Sequence, residues 1–288
     1  MIRLLFPLFL PWLALSFLVA EEPRVVRDIE YARVGERILK LDLHLPAQAA
    51  GPLVVYVHGG AWRGGSKDDM PLGDLVRQGI PVASVDYRLS PEARFPAQVH
   101  DIKAAIRFLR ARQGELDIDA GRIVVAGSSA GGHLAALVGV SNGLTALEGA
   151  VGGETSQSSA VQGIVSFFGA SNLETILAQS TPHGVKMRVP ALELLLGSLP
   201  TKVPDLARLA SPVRHVDAQD PPLFLLHGDQ DPQMPVNQSL ELQAVYEAAG
   251  APVTFLNVHG AAHGGAAFYD AARLGRVLDF LQKLPANP

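Results

Sequence analysis

One short segment constrains the possible fold more than any other part of the chain. An apolar, β-branched run at 123–126 leads directly into Gly-Ser-Ser-Ala-Gly at 127–131, and a helical pattern of small residues follows. A serine at the centre of a Gly-x-Ser-x-Gly pentapeptide sits on a sharp strand-to-helix turn that exposes its hydroxyl above a sheet. The pattern therefore predicts an α/β fold and makes Ser129 a candidate nucleophile.

Continuous apolar runs alternate with helical patterns along most of the remaining chain. The predicted strands lie at 53–57, 81–85, 123–126, 164–168, 223–226 and 253–258. Runs that are apolar on both faces are typical of parallel strands that are covered by helices on each side. Residues 27–46 alternate between apolar and polar instead, which indicates an antiparallel hairpin at the sheet edge. We therefore predict one doubly wound α/β domain over 21–288, with a mostly parallel sheet and an N-terminal antiparallel edge hairpin.

One connection between predicted strands is much longer than the others. The segment at about 171–220 includes a leucine-rich helical stretch but no predicted strand. A long connection inside a compact domain is typical of a small cap or lid over a ligand site. The alternative is a surface segment that lies away from the catalytic site. We predict that this segment is a small cap-like insertion.

The N-terminus carries a pattern that bears on localisation. Arg3 precedes a nearly unbroken apolar run that ends at Ala20, and Glu21 and Glu22 follow at once. A short basic region, an apolar core and a small residue before a polar switch are typical of a secretory signal peptide. A membrane anchor is the alternative, but two prolines interrupt the run, which is shorter than the roughly 20 residues that span a bilayer. We predict a signal peptide at 1–20 and a secreted or periplasmic mature protein without a stable membrane span.

The composition excludes several kinds of chemistry. The 288 residues include no cysteine, so a disulfide, a thiolate nucleophile and a cysteine-ligated metal are all excluded. No two of five scattered histidines, His44, His100, His133, His183 and His215, have metal-ligand spacing in a convincing context, and we expect neither a metal nor another cofactor. The net charge of −4, without any run of Lys or Arg, argues against a nucleic-acid partner. No pattern indicates the oligomeric state.

A second motif follows the first predicted parallel strand. That strand leads into His58 and two glycines, a loop type that donates backbone N–H groups to the oxyanion in esterases. We assign the donors as the N–H groups of Gly60, Ala61 and Ala130. His58, at the start of the loop, fits a role in holding it by hydrogen bonds better than a role as the base. Two interpretations of Trp62 remain open. Its side chain either forms the floor of an acyl or sugar pocket or only packs against other side chains.

The acid and the base are expected in the loops after the last two strands. Asp229 and Asp231 both follow the strand at 223–226. An aspartate in the position of Asp229 is suited to bond the turn backbone, which favours Asp231 as the residue that orients the base. His263 lies among small residues after the last strand, and His259 is its rival. The order Ser129, Asp231, His263 is the one expected for an elbow-type serine hydrolase.

Four motifs together resemble a known superfamily, the α/β-hydrolases. They are HGGAWRGGSK at 58–67, DYRLS at 86–90, FPAQ at 95–98 and GSSAGGHL at 127–134. They are most similar to the bifunctional feruloyl/acetyl-xylan esterase-like group, near the hormone-sensitive-lipase-like esterases. Ala61 stands where the latter often have a third glycine, and Ser128 where they often have an acidic residue. The resemblance implies a carboxylic ester hydrolase with Ser129, Asp231 and His263 as its catalytic residues.

These observations lead to one main functional hypothesis and two alternatives. The main hypothesis is a secreted serine hydrolase that cleaves short acyl, acetyl or feruloyl esters through an acyl-enzyme. Its substrate would be a small-molecule or carbohydrate ester, including esters on plant polysaccharide. The tryptophan after His-Gly-Gly-x is similar to that of kynurenine formamidases, so an arylformamidase-like amide hydrolase is one alternative. A non-catalytic carbohydrate-binding homologue is the other, because a fold alone does not establish a function.

Overall fold

The computed structural model describes residues 22–285, so the predicted signal peptide at 1–20 lies outside the described residues. Within this range the strands are β1 (Arg24–Val34), β2 (Arg37–Leu45), β3 (Leu53–Val57), β4 (Val82–Val85), β5 (Ile123–Ser128), β6 (Gly163–Phe167), β7 (Leu223–Gly228) and β8 (Val253–Val258). The helices are α1 (Gly73–Arg77), α2 (Ala97–Ala111), α3 (Gln113–Leu116), α4 (Ala130–Gly139), α5 (Thr145–Glu148), α6 (Ile176–Gln179), α7 (Pro182–Leu196), α8 (Pro204–Leu209), α9 (Asn237–Ala249) and α10 (Ala271–Lys283). Short 3-10 helices lie at 200–202, 212–214 and 266–268.

All eight strands belong to one sheet, in the order β1-β2-β4-β3-β5-β6-β7-β8. The pairs β1–β2 and β2–β4 are antiparallel, and every pair from β4 to β8 is parallel. Gly35, with φ +56, lies in the turn of the β1–β2 hairpin, where a left-handed conformation favours glycine. The prediction of a mostly parallel sheet with an N-terminal antiparallel edge hairpin is confirmed.

Both faces of the sheet are covered, which explains why its strands are continuous apolar runs. Val54 and Val124 belong to the apolar cluster that contains α1 and α10. Their chain neighbours Val55 and Val125 belong to the cluster that contains α2 and α4 on the opposite face. Successive side chains of a strand point to opposite faces, so a strand that is buried on both sides is apolar over most of its length.

The register of the parallel strands brings four loops to one edge of the sheet. Val57 pairs with Gly127, so the end of β3 lies beside the end of β5. Gly228 pairs with Val258, so the ends of β7 and β8 are also level. Ligands of open α/β sheets bind outside the carboxyl ends of the strands. The loops after β3, β5, β7 and β8 are therefore neighbours at the edge where a site is expected.

The long segment at 171–220 connects β6 to β7 and contains α6, α7, α8 and two 3-10 helices. Its helix α7 contacts the loop after β7, because the Thr181 hydroxyl donates to the Pro232 carbonyl at 2.8 Å. It also contacts the α2 side of the molecule, because the Phe95 N–H donates to the Leu195 carbonyl at 2.9 Å. Within residues 22–285 no helix is both long enough and apolar enough to cross a membrane.

Candidate active site

Ser129 occupies a strained turn between β5 and α4. Its backbone has φ +55 and ψ −116, a conformation that non-glycine residues rarely adopt. The Ser129 N–H donates to the Phe167 carbonyl at 2.8 Å, which ties the turn to the end of β6. A Cβ on Gly131 would lie 2.0 Å from the Val57 carbonyl oxygen, and one on Gly127 would lie 2.3 Å from the Gly131 carbonyl oxygen. Both glycines are therefore required by the close approach of helix and strand.

Three of the residues that the sequence singled out form one hydrogen-bonded chain. The Ser129 Oγ lies 2.8 Å from Nε2 of His263. Nδ1 of the same imidazole lies 2.6 Å from Oδ2 of Asp231. Because a carboxylate accepts at Nδ1, that nitrogen carries the proton and Nε2 presents its lone pair to the serine hydroxyl. The imidazole is therefore in the tautomer that a general base requires.

The Asp231 carboxylate is buried but fully engaged. Its Oδ1 accepts hydrogen bonds of 2.8 Å from the N–H groups of Gln233 and Met234. Burial alone would raise the pKa of this carboxyl, but hydrogen bonds from His227, His263 and the Met234 N–H hold the pKa well below its usual value. Asp231 is therefore charged at neutral pH and stabilises a positive charge on the neighbouring imidazole.

The rival residues Asp229 and His259 pair with each other instead. Nδ1 of His259 lies 2.7 Å from Oδ2 of Asp229, and the Gly260 N–H donates to Oδ1 at 2.8 Å. The His259 side chain is 93% exposed, whereas that of His263 is 13% exposed. The pair thus joins the loops after β7 and β8 at the surface, so that Asp229 bonds the backbone of the second loop and not that of its own turn. The Ser129 hydroxyl bonds His263 instead.

The loop after β3 lies directly against the serine. A Cβ on Gly59 would be 3.5 Å from Cβ of Ser129. Gly60 has φ +102 and Ala61 has φ +52, so the backbone turns through consecutive left-handed residues. Within residues 22–285, the N–H groups of Gly60, Ala61 and Ala130 donate no hydrogen bond to another residue. Free donors beside the Ser129 side chain, one of them at the start of a helix, favour negative charge on a bound atom.

His58 holds this loop in place through buried contacts. The imidazole is buried, its Nδ1 lies 2.8 Å from the Gly59 carbonyl oxygen, and its ring stacks on Tyr87 with 4.4 Å between ring centroids. Burial lowers the pKa of His58, so the ring is neutral and Nδ1 donates its proton to the carbonyl. The geometry agrees with the expectation that His58 orders the loop and does not act as the base.

The structure corrects the assignment of Trp62 to a substrate pocket. Its side chain is fully buried, and its indole N–H donates to Nδ1 of His133 at 3.1 Å. The opposite nitrogen of His133, Nε2, donates to the Ala210 carbonyl at 2.7 Å. Trp62 therefore packs, which was the other reading of this residue. Periodicity could not distinguish the two, because a tryptophan after a glycine-rich loop suits a core as well as a pocket.

Phe168 is a neighbour of the site that the sequence did not single out. Its ring meets the His263 ring edge-on, with 4.9 Å between centroids, and its N–H donates to the Leu226 carbonyl at 2.7 Å. The residue has φ +42, a left-handed conformation at the carboxyl end of β6. The only sequence signal was its place at the end of a predicted strand, beside the strand that carries the elbow.

The eight-stranded sheet and the serine turn between β5 and α4 define this protein as an α/β-hydrolase. The family model of BD-FAE matches residues 41–246, and the chain belongs to that family. The resemblance to a feruloyl/acetyl esterase-like group of α/β-hydrolases is thereby confirmed.

Similar proteins include several esterases. The chain is 34% identical over 238 residues to Esterase LipC of Mycobacterium tuberculosis, covering 80% of this chain and 57% of that protein. It is 31% identical over 262 residues to the probable isoprenylcysteine alpha-carbonyl methylesterase ICMEL1 of Arabidopsis thaliana, covering 88% and 54%. The chain thus spans a little over half the length of these curated relatives.

Two solved structures are similar over nearly their whole length. A truncated form of a carbohydrate esterase from gut microbiota superposes with a TM-score of 0.83 at 31% identity, covering 92% of this chain and 97% of that one. The propionate-bound esterase Est2 of Thermogutta terrifontis superposes with a TM-score of 0.70 at 26% identity, covering 91% and 94%.

Proposed function

We propose that this protein is a serine hydrolase that cleaves carboxylic esters, with Ser129 as nucleophile, His263 as general base and Asp231 as the acid that orients it. The observation that carries the proposal is the unbroken chain of hydrogen bonds from Ser129 Oγ through His263 to Asp231, at 2.8 and 2.6 Å. A serine hydroxyl becomes a useful nucleophile only when a neighbouring base takes its proton. The esterase names of the relatives support the same reaction type.

The reaction follows from this geometry. Nε2 of His263 takes the hydroxyl proton as Ser129 Oγ attacks the ester carbonyl carbon, and Asp231 stabilises the imidazolium that results. The imidazolium then gives its proton to the leaving alcohol, and an acyl group remains on Ser129. Water enters, His263 takes one of its protons, and attack on the acyl carbonyl releases the acid and restores the serine hydroxyl.

The tetrahedral intermediates carry a negative oxygen that needs donors. We assign that role to the free N–H groups of Gly60, Ala61 and Ala130, two from the loop after β3 and one from the start of α4. Backbone donors that are already in place stabilise charge as it develops, and the loss of one typically costs on the order of 3 kcal/mol of barrier. A narrow loop of glycine and alanine also leaves room for a substrate carbonyl close to the backbone.

The proposed substrates are short acyl esters, acetyl and feruloyl esters among them, including esters on plant polysaccharide. Membership of the BD-FAE family and similarity to a carbohydrate esterase support this class. The arylformamidase alternative loses its particular support, because Trp62 is buried and bonded to His133. The non-catalytic alternative is not favoured, because all three proposed catalytic side chains are present and hydrogen-bonded.

Two organisational proposals accompany the reaction. Residues 1–20 form a cleaved signal peptide, which would make the mature protein secreted or periplasmic. Residues 171–220 form a cap on the single α/β-hydrolase domain, since α7 contacts the loop after β7, which carries Asp231. Mass spectrometry of the N-terminus of the exported protein tests the first proposal, and a cleavage site remote from Ala20 contradicts it.

The central test replaces the proposed nucleophile. Ser129→Ala should fold and lose at least about 10³-fold in kcat on p-nitrophenyl acetate, because no other hydroxyl of residues 22–285 bonds His263. The matched control is Ser128→Ala, whose hydroxyl bonds the Tyr56 hydroxyl at 2.8 Å and should leave most activity in place. A fluorophosphonate probe should label the control but not Ser129→Ala. Near-normal turnover in Ser129→Ala would refute the proposal.

A substrate panel tests the substrate class. Acetylated xylan, methyl ferulate, p-nitrophenyl acetate and N-formylkynurenine should be compared by kcat/KM with the same enzyme preparation. The proposal expects the three esters to be hydrolysed and the formamide to be a poor substrate. A formamide that exceeds every ester would favour the amide-hydrolase alternative instead.

A further inference from the structure

Buried basic side chains are rare in proteins unless they are paired, and this fold contains four. Within residues 22–285 they are Lys67, Lys103, Arg107 and Arg188. Lys67 lies 2.9 Å from the Asp42 carboxylate. Lys103 and Arg107 lie 3.0 and 2.6 Å from the Glu148 carboxylate. Three of the four cations are therefore neutralised by a carboxylate of this chain, and Arg188 is the exception.

Arg188 lies on the inward face of α7 and is only 3% exposed. Its Nε donates to the Gln233 carbonyl at 3.2 Å, and within the described residues its two Nη groups donate no hydrogen bond. No carboxylate of residues 22–285 lies within 4.0 Å of its guanidinium. Neither Nη atom is fully enclosed by the protein, although the side chain as a whole is nearly buried.

The unpaired cation stands next to the catalytic acid. Gln233 connects the two side chains, since its N–H donates to Asp231 Oδ1 and its carbonyl accepts from Arg188. The charge of Asp231 acts on Arg188, but the two side chains form no salt bridge or direct hydrogen bond. Oδ1 of Asp231 is taken by two backbone N–H groups, and its Oδ2 is taken by His263. Burial lowers the pKa of Arg188 to about 10, although the nearby charge of Asp231 acts to raise it, so the side chain remains charged at neutral pH.

A neutral donor would serve as well as arginine for the single bond to the Gln233 carbonyl. This bond does not explain the outer edge of the guanidinium. The side chain is charged and nearly buried, yet its Nη groups donate no hydrogen bond within the described residues. That edge offers parallel N–H groups in the geometry that binds a carboxylate through two hydrogen bonds. A carboxylate from outside the chain would be a directly bonded counter-ion and would satisfy the free donors as well.

We propose that Arg188 binds a carboxylate carried by the substrate, so that the preferred esters are anionic. The chemical class is either a half-ester of a dicarboxylic acid, with the charge on the acyl side, or an acylated acidic alcohol such as an acidic sugar. This inference rests on the proposed esterase function and assigns a specificity-determining role to the insertion at 171–220. Lys186, on the same helix, is exposed and has no such role.

Paired substrates test the proposal. On the acyl side, p-nitrophenyl hemisuccinate is compared with p-nitrophenyl butyrate, and on the alcohol side, 4-acetoxybenzoate with its methyl ester. Arg188→Gln should raise KM at least about tenfold for one of the two charged esters and change kcat/KM of the neutral partners less than about threefold. Arg188→Lys should retain part of the preference. Lys186→Gln removes the same charge from α7 and should change neither ratio.

A binding measurement separates this inference from the proposed reaction. Calorimetry with 4-hydroxybenzoate and succinate should show that at least one of them binds the wild-type protein and Ser129→Ala but not Arg188→Gln. If esters are not hydrolysed at all and this binding persists, the esterase proposal fails and the anion site stands. If charged and neutral esters lose activity in equal proportion in Arg188→Gln, the anion site is refuted.

If Arg188→Gln does not fold, the comparison of charged and neutral esters in the wild-type protein still tests the proposal. In the wild type, the charged member of at least one pair should have the higher kcat/KM, and free 4-hydroxybenzoate or succinate should inhibit competitively. Equal kcat/KM within both pairs, with no inhibition by either anion, would overturn the proposal.

Discussion

The indole N–H of Trp62 donates a 3.1 Å hydrogen bond to Nδ1 of His133, and this bond joins the loop after β3 to the helix that begins beside Ser129. Trp62 has φ +58, a conformation that is uncommon for a non-glycine residue. Its carbonyl accepts from both the N–H and the hydroxyl of Ser90, at 2.7 and 2.9 Å. Three bonds therefore hold Trp62 in place, and with it the adjacent residues that we propose as oxyanion donors.

Removal of the indole donor should have a larger effect on kcat than on the free energy of unfolding. Trp62→Phe keeps an aromatic ring but leaves Nδ1 of His133 without its donor. We expect kcat on p-nitrophenyl acetate to fall about tenfold, because a displaced loop stabilises the oxyanion less well. Tyr246→Phe, which removes a buried hydroxyl remote from the site, should leave kcat unchanged. Equal kcat in Trp62→Phe and the wild type would show that this bond does not position the loop.

The same histidine should make stability depend on pH. Burial lowers the pKa of His133 from 6.5 to about 4, so the folded protein holds this imidazole neutral where the unfolded chain protonates it. Stability should therefore fall as the pH decreases through this window, by about 3 kcal/mol for this group alone. Urea unfolding of the wild type and His133→Phe at several pH values measures the difference between their slopes.

The control for that experiment is His183→Gln, which alters an exposed histidine. It should unfold with the same pH dependence as the wild type. The half-buried His44 and the buried His58 also have a lowered pKa but are present in every variant, so they cancel in the comparison. If His133→Phe loses as much stability as the wild type between pH 6.5 and 4, the imidazole is not held neutral by the fold.

Neutralisation of the two aspartates after β7 should affect kcat very differently. Asp231→Asn removes the charge that fixes the His263 tautomer, and we expect kcat to fall by roughly 10³ to 10⁴. Asp229→Asn alters a carboxylate that bonds the exposed His259, and kcat should change less than about threefold. Steady-state kinetics with p-nitrophenyl acetate measures both. A large loss in Asp229→Asn alone would transfer the acid role to that residue.

Ala61 should tolerate glycine but not a branched side chain. Its φ of +52 lies in the left-handed region, which glycine adopts freely and a β-branched residue avoids. Ala61→Gly should keep kcat within about threefold, whereas Ala61→Val should lower kcat at least about tenfold because the loop must shift. The two variants control each other. Similar kcat values for both would indicate that the backbone at this position does not contribute to catalysis.

Two glycine-to-alanine changes in helices should have opposite effects on stability. A Cβ on Gly131 would lie 2.0 Å from the Val57 carbonyl oxygen and 2.5 Å from that of His58, and backbone atoms cannot yield cheaply. We expect Gly131→Ala to cost about 3 kcal/mol or more, as overpacking of a core does. A Cβ on Gly275 meets nothing within 4 Å, so Gly275→Ala should stabilise by about 0.5 to 1 kcal/mol. Urea unfolding curves of both variants decide the point.

Local patterns were sufficient for much of the fold. The runs that form β3, β5 and β7 are apolar over four or more consecutive positions, and such runs predict parallel strands because both of their faces must be buried. The elbow around Ser129 was also legible, since the glycines at its flanks are required by backbone contacts that recur wherever a strand turns sharply into a helix.

Contacts between distant parts of the chain were less accessible. Trp62 lies 71 residues from His133, and only the packed structure shows that it is buried against that residue and not in a pocket. Phe168 was overlooked for the same reason, because its contact with His263 depends on the loop after β8. Burial and partner choice depend on the surroundings of a side chain, which a one-dimensional pattern does not contain.

The sequence by itself determined the class of fold, the edge of the sheet where chemistry is expected and the short set of residues that could perform it. Strand runs, turn glycines and the order of Ser129, Asp231 and His263 are local properties of the chain, so they could be recognised without coordinates. The tertiary structure decided which of those residues meet, since it pairs His263 with Asp231 and leaves His259 with Asp229 at the surface. It also revealed Arg188 as a buried cation that makes no salt bridge within residues 22–285, because charge pairing is a property of the folded neighbourhood.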